Sequence, residues 1–177
     1  MAELNRDFLD LLEAFDELEV RFLVVGAHAL GVHGVPRATG DLDLWIRPDS
    51  ENGTKAWQAL DRFGAPVRAH GLRAEDLATA GTVYQVGLPP FRIDVLTQIS
   101  GCDFEQAWAD RVERTVDGRR LAYLDLASLI RNKRATGRTK DLLDIELLKE
   151  AGVDVDAAEG ETGGDGSTSP ESSTSAS

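Results

Sequence analysis

Asp41-Leu42-Asp43-Leu44-Trp45-Ile46 alternates acidic or aromatic side chains with aliphatic ones, and this two-residue period constrains the chain more than any other stretch. In an extended strand Leu42, Leu44 and Ile46 point to one face, while Asp41 and Asp43 point to the other. One face needs a core. The other carries two carboxylates roughly 6–7 Å apart along the chain, at about 3.3 Å per residue, which repel unless protons or cations compensate. Phe91-Arg92-Ile93-Asp94-Val95-Leu96 repeats the pattern, with Arg92 and Asp94 on one face and Phe91, Ile93 and Val95 on the other. Beside the first strand, Asp94 completes a three-carboxylate cluster able to take one or two hard divalent ions. A lone Asp-x-Asp is common at strand starts and a lone strand Asp can guard a sheet edge, so the weight lies in the combination.

The surrounding sequence supplies the elements. Leu4, Phe8, Leu11, Leu12, Phe15 and Leu18 recur at helical spacing and predict a helix over 3–18. Phe22-Leu23-Val24-Val25 reads as an interior strand, ended by Gly26 and followed by a short helix over 27–33. A helix over 50–63, a short one near 75–78, strands over 82–86 and 91–96 and a helix over 104–110 come next. Asp117-Gly118 between 112–116 and 119–123 is the strongest hairpin signal in the chain. Helices over 125–136 and 139–150 close the folded part. The class is α+β (mixed α/β): a central mixed sheet flanked by helices, with two helices at the C-terminal end.

Charge narrows the function. Among 177 residues, 19 are basic and 31 acidic, for a formal −12; six of the acids and none of the bases follow Glu150, leaving 19 − 25 = −6 for residues 1–150. An acidic body argues against a broad grip on nucleic acid, although Arg131, Lys133, Arg134, Arg138 and Lys140 form one local basic group. The domain is expected to span 1–152, and 153–177, rich in Gly, Ser, Thr and acids, to be a disordered tail. Cys102 is alone, so no internal disulfide or cysteine-based zinc site can form. No secretory signal or membrane-length apolar stretch is present, which predicts a cytoplasmic protein without membrane association. His28, His33 and His70 have no ligand-like spacing and are read as surface residues.

A glycine turn at Gly26-Ala27, followed fifteen residues later by Asp41-x-Asp43 on a strand and then by Asp94, resembles the nucleotidyltransferase superfamily of the polymerase-beta type. FLVVGAHALGVHGVPRATGDLDLWIRPD, GLPPFRIDVLTQISGCDFEQAW and LASLIRNKRATGRTKDLLDIELL resemble, more narrowly, the type IV abortive-infection toxin nucleotidyltransferases. The likeness spans about residues 20–150. It implies transfer of a nucleoside monophosphate from an NTP to an acceptor hydroxyl of RNA, a protein or a small molecule. It further implies Mg²⁺ or Mn²⁺ on Asp41, Asp43 and Asp94, an antitoxin partner and a toxin or phage-defence role. Ala27 departs from the Gly or Ser that relatives carry, which brings a second reading: a nucleotide-binding regulatory module without turnover. A nucleotide-sugar glycosyltransferase using Asp-x-Asp is a third.

Several residues receive roles on this basis. Gly26 and Ala27 offer backbone to phosphate. Arg37 either meets a β- or γ-phosphate or neutralises Asp41 and Asp43, and Thr39 bonds near the metal. Lys133, bordering the buried face of its helix, contacts the triphosphate or stabilises transition-state charge, against the plainer reading of a surface lysine. Lys140 pairs with Asp144 one turn later in a polar network that includes Asp141, with substrate contact open to Lys140.

Overall fold

The computed structural model describes residues 4–160. Glu3, the first residue of the expected N-terminal helix, and most of the expected tail lie outside them. In chain order the elements are α1 (Arg6–Glu17), β1 (Phe22–Val25), α2 (Gly26–Val32), β2 (Asp41–Ile46), α3 (Ser50–Phe63), α4 (Ala74–Leu77) and β3 (Val83–Leu88). They continue with β4 (Phe91–Leu96), α5 (Phe104–Ala109), β5 (Val112–Val116), β6 (Arg119–Tyr123), α6 (Leu126–Thr136), α7 (Thr139–Glu150) and α8 (Val155–Gly160). The arrangement expected from the element pattern is present: a mixed sheet flanked by helices, with a helical pair near the C-terminal end.

Local chemistry sets the boundaries. Side-chain oxygens of Asn5, Asp49, Asp103 and Asp125 accept from the first-turn amides of α1, α3, α5 and α6, satisfying groups that a helix leaves unpaired. Gly64 and Gly137, both left-handed, stop α3 and α6. At the β5–β6 turn Asp117 and Gly118 both have positive φ, as a two-residue hairpin of right-twisted strands requires.

The six strands lie in the order β3-β4-β2-β1-β6-β5, with β2 parallel to β4 and antiparallel to β1. Leu42, Leu44 and Ile46 are buried on one face together with Val24 and the partly buried Phe22, and Phe15 of α1 packs edge-on against Phe22. The opposite face carries three rows across β3, β4 and β2: Gly87–Arg92–Asp41, Gln85–Asp94–Asp43 and Val83–Leu96–Trp45. Trp45 is 2% exposed although it stands on the acidic side of its strand, because Phe104 of α5 covers it with ring centroids 5.0 Å apart.

Past residue 152, where a disordered tail is expected to begin, the chain instead forms α8. Val155 is 2% exposed, and Arg134 of α6 pairs with both Asp156 and Glu159. One apolar side chain and one doubly paired arginine thus tie down a segment whose composition reads as unstructured. No helix among the described residues is long and apolar enough to cross a membrane.

Candidate functional site

Gly26, Ala27, Arg37, Thr39, Asp41, Asp43, Asp94, Lys133 and Lys140, drawn from β1, α2, β2, β4, α6 and α7 and the loop before β2, all line one cavity of about 460 Å³. That volume lies within the roughly 300–1,000 Å³ typical of small-molecule sites.

The sheet side of this cavity is acidic. Asp43 faces Asp94 in register on the neighbouring parallel strand, and Asp41 stands two residues before Asp43. Gly26 makes the arrangement spatially feasible. Its φ is +64°, and a Cβ there would collide with the Asp43 carboxylate. Burial, with Asp94 and then Asp41 nearby, pushes the Asp43 carboxyl up to about 6, against the opposing pull of Lys140 and Arg92.

Arg92, to which the sequence pattern gave no role, sits among the carboxylates. Its Nη2 lies 3.2 Å from Asp41 Oδ2 and its Nε 2.9 Å from Asp94 Oδ1. The Nε contact is close but not aligned as a hydrogen bond. Gln85 Nε2 donates to Asp94 Oδ2 at 3.3 Å. The signal for Arg92 was its place two residues before Asp94 on the same strand face.

The neutralising role open to Arg37 is therefore filled by Arg92, and Arg37 turns elsewhere. Its Nε lies 2.9 Å from Asp144 Oδ1. Lys133 is 3% exposed, so it is no surface lysine; its Nζ donates to Asp144 Oδ2 at 2.6 Å and lies 3.6 Å from Asp141. Arg138 Nε reaches Asp141 Oδ2 at 2.6 Å. Asp144 thus pairs across helices with Lys133 and Arg37. The expected partner, Lys140, is exposed, faces the cavity and makes no ion pair within 4 Å among the described residues. Thr39 serves its own loop, its Oγ1 accepting from the Asp41 amide at 3.1 Å.

Formal charge separates across the cavity. Asp41, Asp43 and Asp94 against Arg92 leave −2 on the sheet side; Arg37, Lys133, Arg138 and Lys140 against Asp141 and Asp144 leave +2 opposite. Among the described residues, no three His, Cys, Asp or Glu side chains converge as a metal site requires. With Arg92 drawing Asp41 and Asp94 to itself, the carboxylates as arranged do not fit a divalent ion.

His28, His33 and Cys102 are not among the residues that line this cavity. His28 and His33 are held below the usual imidazole range by burial, and His33 Nε2 contacts the Leu124 carbonyl at 2.8 Å. Burial pushes the Cys102 thiol up to about 11, which keeps it protonated.

No family model matches the sequence, and no curated protein matches it. Among solved structures the fold is similar to the lincomycin-bound lincosamide antibiotic adenylyltransferase LnuA, at 14% identity and TM-score 0.50, covering 84% of this chain and 98% of that one. It is also similar to the antibiotic-resistance factor ANT(2'')-Ia, at 15% identity and TM-score 0.52, covering 88% of this chain and 89% of that one. These likenesses carry the fold alone, a nucleotidyltransferase-like mixed sheet flanked by helices.

Proposed function

We propose that the cavity binds a nucleoside phosphate and that the chain acts through occupancy, as a nucleotide-binding regulatory module. The observation that carries this reading is Arg92 between Asp41 and Asp94. Its guanidinium supplies from within the chain the positive charge that the carboxylates need. A phosphate chain approaching the opposite wall therefore meets Lys140 and Arg138 at the mouth, with the acidic wall partly neutralised behind it. Ala27, in place of the small or hydroxyl-bearing residue of relatives, agrees with retained binding.

Titration calorimetry with ATP, GTP, CTP and UTP, each in EDTA and in Mg²⁺, tests this directly. Binding in EDTA, within a few-fold of that in Mg²⁺, is the expected result. Strict dependence on Mg²⁺ would overturn it.

A second reading is metal-dependent transfer of a nucleoside monophosphate to an acceptor hydroxyl, with Asp41, Asp43, Asp94 and Lys133 as the catalytic set. It is favoured by the Asp43–Asp94 row, by the absence of any ion pair on Asp43 within 4 Å among the described residues, and by the fold shared with an adenylyltransferase. It requires Arg92 to release Asp41 and Asp94. Label transferred from an NTP to RNA, protein or a small hydroxyl compound, and lost in Asp43→Asn, would establish it. An antitoxin partner and a defence role follow from the toxin-like sequence stretches and belong with this second reading.

A further inference from the structure

The wall of the cavity beyond the carboxylate row differs from the rest. Where the Arg92–Asp41 and Asp94–Asp43 rows are charged, the next row on the same sheet face puts Val83 and Leu96 in the lining, and the chain after β4 adds Gln98, Ile99 and Ser100. Asn132 of α6 completes this side, held by donation of Nδ2 to the Ser100 carbonyl at 2.9 Å. Among the described residues that line this side, none is ionisable. Val83 is 56% exposed on a strand whose neighbour Tyr84 is buried, and Gln98 is exposed with no hydrogen bond among the described residues.

Resting on the reading of the cavity as a nucleotide site, we infer that this neutral wall takes the uncharged nucleoside end of the ligand while the charged end of the cavity takes its phosphates. Aliphatic side chains offer a ring something to lie on, and the amides of Gln98 and Asn132 offer donors and acceptors to its edge. With no cation among the described residues that line this side, a nucleic-acid backbone is a poor occupant. The direction agrees with the strands. Arg37 and Thr39 lie in the loop before β2 and Asp41 begins it, and Leu96 lies four residues further along β4 than Arg92, roughly 13 Å at about 3.3 Å per residue.

The test compares ATP with inorganic tripolyphosphate on the full chain in EDTA. Wild type should bind ATP at least tenfold more tightly than tripolyphosphate. Val83→Ala/Gln98→Ala, at two exposed positions, should lose most of that advantage and leave tripolyphosphate affinity within twofold, with an unchanged thermal midpoint. Tripolyphosphate binding as tightly as ATP in the wild type, as it would if the wall held a separate acceptor, overturns the inference and leaves the nucleotide reading standing. So does equal weakening of both ligands in the double variant. Failure of both ligands to bind the wild type overturns the nucleotide reading itself, and this inference with it.

Discussion

The two charged walls of the cavity solve the same problem differently. On the helix side, Asp141 and Asp144 are 4% and 1% exposed, yet they are shared among Lys133, Arg37 and Arg138. On the sheet side, two of three carboxylates share one guanidinium, and the third, Asp43, is left with a raised pKa. The first wall is a closed network. The second is only partly relieved, and its remaining repulsion falls on Asp43.

The comparison breaks first at Asp144. Removing one partner of a buried ion pair strands the other in a low-dielectric interior, at about 3–5 kcal/mol. Asp144→Ala leaves Lys133 with Asp141 at 3.6 Å and Arg37 without its partner. A loss of stability of about that size is expected in urea unfolding. Lys133→Met/Asp144→Leu, which removes the buried pair and fills its volume, should recover most of it. A single variant within about 1 kcal/mol of wild type would mean that the helix wall is no more closed than the sheet wall.

Asp43 should move the other way. Its folded-state pKa, raised to about 6 from 3.8, lies above its unfolded value. The folded state therefore binds the proton more tightly, and the stability this contributes is fully present below pH 3.8 and lost as pH rises through about 6. Asp43→Asn removes the ionisation. It should be more stable than wild type at pH 8 by about 1–3 kcal/mol, from roughly two pKa units at about 1.4 kcal/mol each, reduced for partial exposure. The gap should close by about pH 4. A destabilised Asn variant at pH 8 would show that Asp43 is as well satisfied as Asp144.

What was legible in the sequence, and what was not, follows the range of the interaction. The alternation of Asp41 to Ile46 and of Phe91 to Leu96 is local, and it foretold both strands and the shared face of their aspartates. Asp117-Gly118 likewise announced its hairpin, because both residues must take positive φ. The Arg92–Asp41 pair joins residues 51 positions apart and depends on strand order, which no local pattern encodes. Asp144 misled for the same reason. A helical wheel offers Lys140 one turn away, whereas the packing of α6 against α7 brings Lys133 from eleven residues back. Trp45 and α8 were hidden by long-range contacts, from Phe104 over Trp45 and from the burial of Val155 and the pairs of Arg134 at α8, that depend on the finished fold.

The smallest expected effect divides the helix wall itself. Arg138 pairs with Asp141, but its own side chain is 58% exposed, so water can replace it and its removal does not strand a buried cation. Asp141 would keep Lys133 and a position in the first turn of α7, where the helix dipole favours a carboxylate. Arg138→Ala should therefore cost no more than about 1 kcal/mol in urea unfolding, several-fold less than Asp144→Ala. Because Arg138 also faces the cavity, the same variant should weaken tripolyphosphate binding, and more so at low ionic strength, where an exposed cation is least screened. Stability loss without a change in anion affinity would make Arg138 one more member of the closed network; the opposite pattern makes it the outward edge of the binding site.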